Sequence, residues 1–138
     1  SELGLSAELE IMKLEQERLS DYPRLLKKLK HIALEDVSAG FDILSWETNT
    51  DSDNIKPRYI EVKAISDDNV GFYLSRNEIE KAKKLGDEYF LYLLPMGNTG
   101  SFDLSNLQTI PNPISELNNS DKWKSQIETY NFKKNEHI

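Results

Sequence analysis

The sequence predicts one α/β layered domain, a mixed sheet flanked by helices in the order α-α-β-β-β-α-β with a C-terminal appendage. Three observations carry this. The 138 residues fit the ~100 to 200 residues of a single domain. Two segments with helical apolar spacing precede a strand-like region, and a capped helix separates that region from a nearly continuous apolar run. The core is expected over about 4 to 95 and the extension over 96 to 138, with no internal repeat and no compositional break.

Leu5, Leu9, Met12 and Leu19 fall close to helical spacing, predicting an amphipathic helix over about 5 to 19. Tyr22-Pro23 interrupts it, and a second short helix follows to about Lys30. From Phe41 to Trp46 the pattern is strand-like, with Asp42, Leu44 and Trp46 on one face and Ile43 and Ser45 on the other. The polar stretch from Glu47 to Pro57 joins this strand to a second one, Arg58 to Ile65, as a long hairpin connection. After a polar turn at 66 to 69, Val70 to Leu74 reads as a third strand.

Ser75-Arg76-Asn77-Glu78 is a capping box, so a helix begins there and Gly86 closes it. Tyr89 to Leu94 has the look of a strand covered on both faces, stopped by Pro95. The tail beyond Met96 is loop-rich, and Trp123 with the stretch 127 to 132 supplies one further element on the sheet edge.

Composition removes several classes of function. With no cysteine, disulfides, thiolate metal sites and a cysteine nucleophile are excluded. A net charge of -7 argues against gripping nucleic acid by bulk electrostatics. The basic patch Arg24, Lys27, Lys28 and Lys30 reads either as a solvated helix face or as a phosphate-contacting edge. No apolar stretch approaches a membrane span and no signal pattern opens the chain, so a cytoplasmic location without membrane contact is expected. The start at Ser1 without methionine is expected of a processed product or of a domain taken from a larger protein, the second being the favoured expectation. His31 and His137 are too few and too distant for a metal cluster, and His31 reads as a packing or surface residue.

One constellation carries chemistry. Period two places Tyr59, Glu61 and Lys63 on one face of the second strand, and the hairpin brings Asp42 beside Glu61. Two carboxylates converging with a lysine resist joint ionisation unless a hard cation neutralises them, and oxygen ligands suit Mg²⁺ or Mn²⁺. Asp42 and Glu61 would be the ligands, helped by the Val62 carbonyl, with Lys63 placing a water or stabilising charge on a phosphodiester in hydrolysis. The plain alternative is a surface Glu61/Lys63 ion pair.

The segments Gly40-Phe-Asp-Ile-Leu-Ser45, Arg58-Tyr-Ile-Glu-Val-Lys63, Phe72-Tyr-Leu-Ser-Arg-Asn-Glu78 and Tyr89-Phe-Leu-Tyr-Leu93 together resemble the NO VEIN C-terminal domain family. That family belongs to the PD-(D/E)XK nuclease superfamily, relatives of Mrr-type restriction endonucleases. The resemblance covers about 4 to 95, including the opening helix with Glu8. It implies a restriction-endonuclease-like sheet, catalytic roles for Asp42, Glu61 and Lys63, and Glu8 as a further metal ligand. Ser75, Asn77 and Glu78 match the family's SxNE segment, which implies that Arg76 and Asn77 face the substrate. Phe41 stands where the superfamily's motif has proline, as the family does with its aromatic, and Ala64 stands where a hydroxyl residue is frequent.

The expected function is Mg²⁺- or Mn²⁺-dependent endonucleolytic hydrolysis of DNA phosphodiesters within a restriction or defence protein. The alternative is a non-cleaving recognition or regulatory module of the same fold, fused to a helicase or ATPase. DNA is the expected partner, bound weakly by the isolated domain, alongside covalently attached helicase/ATPase or DNA-recognition domains. A homodimer would let two sites act on both strands.

Overall fold

The computed structural model describes residues 1–51, 53–66, 71–128 and 132–136. Helix α1 (Glu2–Arg18) and the single turn α2 (Pro23–Leu26) precede β1 (Lys30–His31), β2 (Ile43–Trp46) and β3 (Pro57–Ser66). Helix α3 (Arg76–Leu85), β4 (Tyr89–Met96), β5 (Gln108–Pro111) and α4 (Pro113–Asn118) follow. The strands form one five-stranded mixed sheet in the order β1-β2-β3-β4-β5. Only β3 and β4 run parallel, over eight register pairs from Tyr59↔Tyr89 to Ser66↔Met96, and α3 makes the crossover that parallel strands require.

The two faces of the sheet carry different cores. Ile43, Ile60, Val62, Tyr92 and Leu94 pack under Ala7 and Ile11 of α1. On the opposite face Ile65, Leu91 and Leu93 gather Phe72, Leu74, Ile110, Leu117 and Trp123, with the Phe72 and Trp123 rings 5.5 Å apart at 65°. Strand alternation puts Glu61 and Lys63 on this second face, beside α3.

Several expectations change. The stripe of α1 against the sheet is Ala7, Ile11, Glu15 and then Leu19, while Leu5 and Leu9 are exposed. A glutamate sits in a helix's apolar stripe because it is fully paired. Glu15 accepts from Arg18 (Nη2, 2.6 Å), Ser45 (Oγ, 2.6 Å) and Tyr92 (OH, 3.3 Å), and Tyr92 accepts from Arg58, which grips Glu47 through two 2.7 Å bonds. The expected third strand is absent among its described residues. Residues 71 to 74 belong to no strand, and Phe72 and Leu74 alternate with exposed neighbours because they dock on the second core; Val70 and the turn at 67 to 69 lie outside the described residues.

The second helix is one turn, ending before the expected Lys30, which pairs instead with Leu44. Pro95 does not end its strand. Its carbonyl accepts from Asp103 N (2.8 Å), so its missing N–H faces an edge where β5, last paired at Leu93↔Gln108, has already stopped. The tail supplies β5 and α4, with Trp123 packed on the sheet without a strand of its own; residues 129–131 lie outside the described set. Among the described residues no helix is long and apolar enough to cross a membrane.

Candidate active site

The loop before β2 is shaped to deliver Asp42. Asp36 accepts from Ser38 N (2.9 Å) and Ser38 Oγ (2.6 Å), turning the chain. Gly40 then adopts φ +83°, and a Cβ there would meet Lys81 Cβ at 3.0 Å and the Asn77 carbonyl at 3.2 Å, so only glycine fits unstrained against α3. The Gly40 carbonyl accepts from the buried Tyr89 hydroxyl (2.8 Å), Asn77 Nδ2 donates to the Ser38 carbonyl (2.8 Å), and Phe41 meets Tyr59 edge-on at 5.0 Å. Asp42 itself is pinned by its backbone, with N donating to Ile60 O (2.8 Å) and O accepting from Ala33 N (3.0 Å).

The β2–β3 ladder ends at Ile43↔Ile60, and Asp42, whose N–H also reaches Ile60 O, brings its carboxyl beside that of Glu61. There the ladder gives way to a side chain, because Asp42 Oδ2 accepts from Val62 N at 2.8 Å. A strand residue turns its N–H and C=O to the same edge, so the Val62 carbonyl also faces the Asp42 side and not β4. Two residues beyond Glu61 and on its face, Lys63 Nζ lies 3.3 Å from Glu61 Oε2 and 3.1 Å from Glu78 Oε1. Glu61 is 3% exposed, and its other oxygen, Oε1, is buried without a hydrogen-bond partner.

Burial pushes the Asp42 carboxyl up to about 6, against the stabilising Val62 N–H and with the Glu8 charge adding to the rise. Glu61 goes further, to about 9, through burial first and the adjoining Asp42 charge second, with Lys63 opposing. Without a cation the pair therefore holds one proton at neutral pH. Burial works against the Lys63 ammonium, but the Glu61 and Glu78 carboxylates outweigh it and hold Lys63 above its ordinary value. Tyr89 is also pushed up, first by burial and then by the charges of Glu61, Glu78 and Asp42, so its hydroxyl stays a donor to Gly40.

Asp42, Glu61 and Lys63 thus come together, with the Val62 backbone between them. Glu8 lies near enough to raise Asp42, yet its Oε1 is committed to His31 Nε2 at 2.6 Å. Among the described residues no group of three or more His, Asp or Glu side chains converges as a metal cage. The donor set still fits a hard divalent cation: two carboxylates, one with a buried unpartnered oxygen, and a carbonyl on the same edge. Mg²⁺ commonly takes one or two carboxylates and completes its shell with water and phosphate oxygens.

The residues matched to substrate binding do not gather around this centre as a group. Asn77 lies on the first turn of α3 but spends its amide on the Ser38 carbonyl, while Arg76 is exposed and 3.0 Å from Glu80. Lys27 and Lys28 are exposed just after α2, where the Lys28 carbonyl accepts from Trp46 Nε1 (3.0 Å). Trp46 is the far end of β2, four residues and roughly 13 Å along the strand from Asp42. His137 lies outside the described residues.

From the sequence, Glu78 reads as a helix cap and His31 as a packing or surface residue. The capping box did hold a further signal, since it turns the Glu78 carboxylate back toward the segment leading from β3. Nothing local announces the pairing of His31 with Glu8, which depends on β1 meeting the α1 side of the sheet.

Among known families, the model described as "Protein NO VEIN, C-terminal" matches residues 7–103, a segment that contains Glu8, Asp42, Glu61, Lys63, Asn77 and Glu78. No curated protein matches the chain, and no solved structure matches it. A family match over more than half of the residues settles the relationship: the chain belongs to the NO VEIN C-terminal family.

Proposed function

We propose that this chain is a divalent-cation-dependent nuclease domain of the PD-(D/E)XK type, restriction-endonuclease-like in fold, hydrolysing DNA phosphodiester bonds in a cytoplasmic restriction or defence protein. The observation that carries the reading is the buried Glu61, its Oε1 without a donor, adjoining Asp42 and beside Lys63 on one face of β3. A surface ion pair gives no reason to bury Glu61 against a second carboxyl group; a ligand position does.

Asp42 and Glu61 would hold Mg²⁺ or Mn²⁺, with the Val62 carbonyl on the same edge. Such a cation supplies polarisation of a phosphate oxygen and neutralises the paired carboxylates. The remaining work falls to the chain. Val62 N–H fixes the direction of Asp42, so the carboxylate is oriented before any ligand arrives. Lys63 carries a held ammonium that would donate to a non-bridging phosphate oxygen and stabilise the charge that grows on it during hydrolysis. Affinity for DNA would come from attached domains, since the net charge is -7 and the Lys27/Lys28 patch stands apart from the centre.

Incubation with duplex and single-stranded DNA and Mg²⁺ or Mn²⁺, alongside Asp42→Ala and Lys63→Ala, tests this. Cleavage by wild type that both variants lose supports the reading. Equal cleavage by all three would sink it. Absence of cleavage with Mn²⁺ binding that disappears in Asp42→Ala would assign a metal-binding regulatory module instead.

A further inference from the structure

We infer that Glu78 is a positioning residue for Lys63, an inference that rests on the nuclease reading of the Asp42–Glu61–Lys63 centre. A capping-box glutamate ordinarily turns back to its own helix terminus and needs nothing else. Glu78 does this, with its N–H donating to Ser75 Oγ (3.1 Å) and its Oε1 accepting from Ser75 N (2.9 Å). The same oxygen also accepts from Lys63 Nζ at 3.1 Å, fifteen residues away on the central strand β3.

The geometry gives that contact a purpose beyond helix capping. Lysine ends in a flexible four-carbon stem, and an ammonium that must meet one phosphate oxygen gains from being held before the substrate arrives. Two carboxylates contact it. Glu61 is the one whose oxygens a cation would claim, and Glu78 faces the ammonium from α3. Because the Ser75 N–H fixes the Glu78 carboxylate, the lysine is anchored to the first turn of a helix. The Glu78 side chain is 19% exposed and that of Lys63 23%, so the contact is largely shielded from water.

The same helical turn braces the other half of the centre. Asn77 holds the Ser38 carbonyl and its own carbonyl sits against Gly40, on the loop that leads to Asp42. The turn Ser75 to Glu78 therefore links the loop before β2 to the lysine of β3.

Three variants separate positioning from capping. Glu78→Gln keeps an acceptor oxygen for Ser75 N and removes the charge; Glu78→Ala removes both. Ser75→Ala deletes the capping hydroxyl and leaves the carboxylate. The first readout needs no activity: acylation of the Lys63 amine by a lysine-directed reagent, mapped by mass spectrometry in the metal-free protein. It is expected to rise about fivefold or more in Glu78→Ala and to stay within about twofold of wild type in Ser75→Ala, because only the first removes one of the two carboxylates that hold the ammonium.

The second readout is cleavage with Mn²⁺, where kcat is expected to fall about tenfold or more in both Glu78 variants with KM within about twofold. Ser75→Ala is expected to lower the melting temperature and retain its kcat. Unchanged Lys63 reactivity overturns the inference, as does wild-type kcat in both Glu78 variants, or a loss confined to KM. If wild type cleaves no DNA, the nuclease reading fails by itself. The reactivity series then still decides whether Glu78 holds Lys63.

Discussion

Asp42 Oδ2 accepts the Val62 N–H at 2.8 Å, so a side chain takes over the hydrogen bond at the point where the β2–β3 ladder ends. One contact does two jobs. It terminates the strand pairing without an orphaned amide, and it turns a carboxylate toward Glu61.

That bond predicts different outcomes for two variants of Asp42. At pH 5, where the pair is protonated and like-charge repulsion is relieved, Asp42→Ala leaves the Val62 N–H unpaired and costs about 1–3 kcal/mol in urea unfolding. Asp42→Asn keeps an acceptor oxygen and stays within about 1 kcal/mol of wild type.

Stability of the metal-free protein falls as pH rises. Both carboxyls lie above the ordinary carboxylate range when folded, so the native state keeps protons that the unfolded chain has released. The contribution is fully present below about pH 4 and is lost as pH climbs through about 6 for Asp42 and about 9 for Glu61. Glu61→Gln mimics the protonated form, and its melting temperature is expected to exceed that of wild type at pH 9 and to vary less between pH 5 and 9.

Cation binding must displace the retained proton. At pH 7 calorimetric titration with Mn²⁺, repeated in two buffers of different ionisation enthalpy, is expected to report release of about one proton per ion bound. Glu61→Gln is expected to abolish that release and weaken binding.

The other buried acid is structural. Glu15 is fully buried, accepts from Arg18, Ser45 and Tyr92, and lies on the α1 face, away from Lys63. Glu15→Ala strips three donors of their acceptor and is expected to cost about 3–5 kcal/mol in chemical denaturation. Cleavage per folded molecule is expected to be unchanged.

The sequence made the centre legible where chemistry followed local periodicity. Period two placed Glu61 and Lys63 on one face, and the hairpin brought Asp42 beside Glu61. The capping box and Gly86 likewise marked α3, because both are written in consecutive residues. What escaped depends on distant partners. Glu15 replaces an apolar residue in the α1 stripe only because Ser45, Tyr92 and Arg18 meet it there. Strand β1 has two residues and β5 four, too few for alternation to show, whereas Phe72 and Leu74 alternate in a segment outside the ladder. Glu78 reaches Lys63 across a crossover that no short pattern encodes.

The most direct test is the rate of Mn²⁺-dependent cleavage of supercoiled duplex DNA by wild type and Lys63→Met, with Mn²⁺ binding measured on the same samples. Methionine keeps an apolar stem against the sheet and lacks the ammonium. The account predicts loss of cleavage by about a hundredfold or more with Mn²⁺ affinity retained. Cleavage by Lys63→Met at the wild-type rate would contradict it.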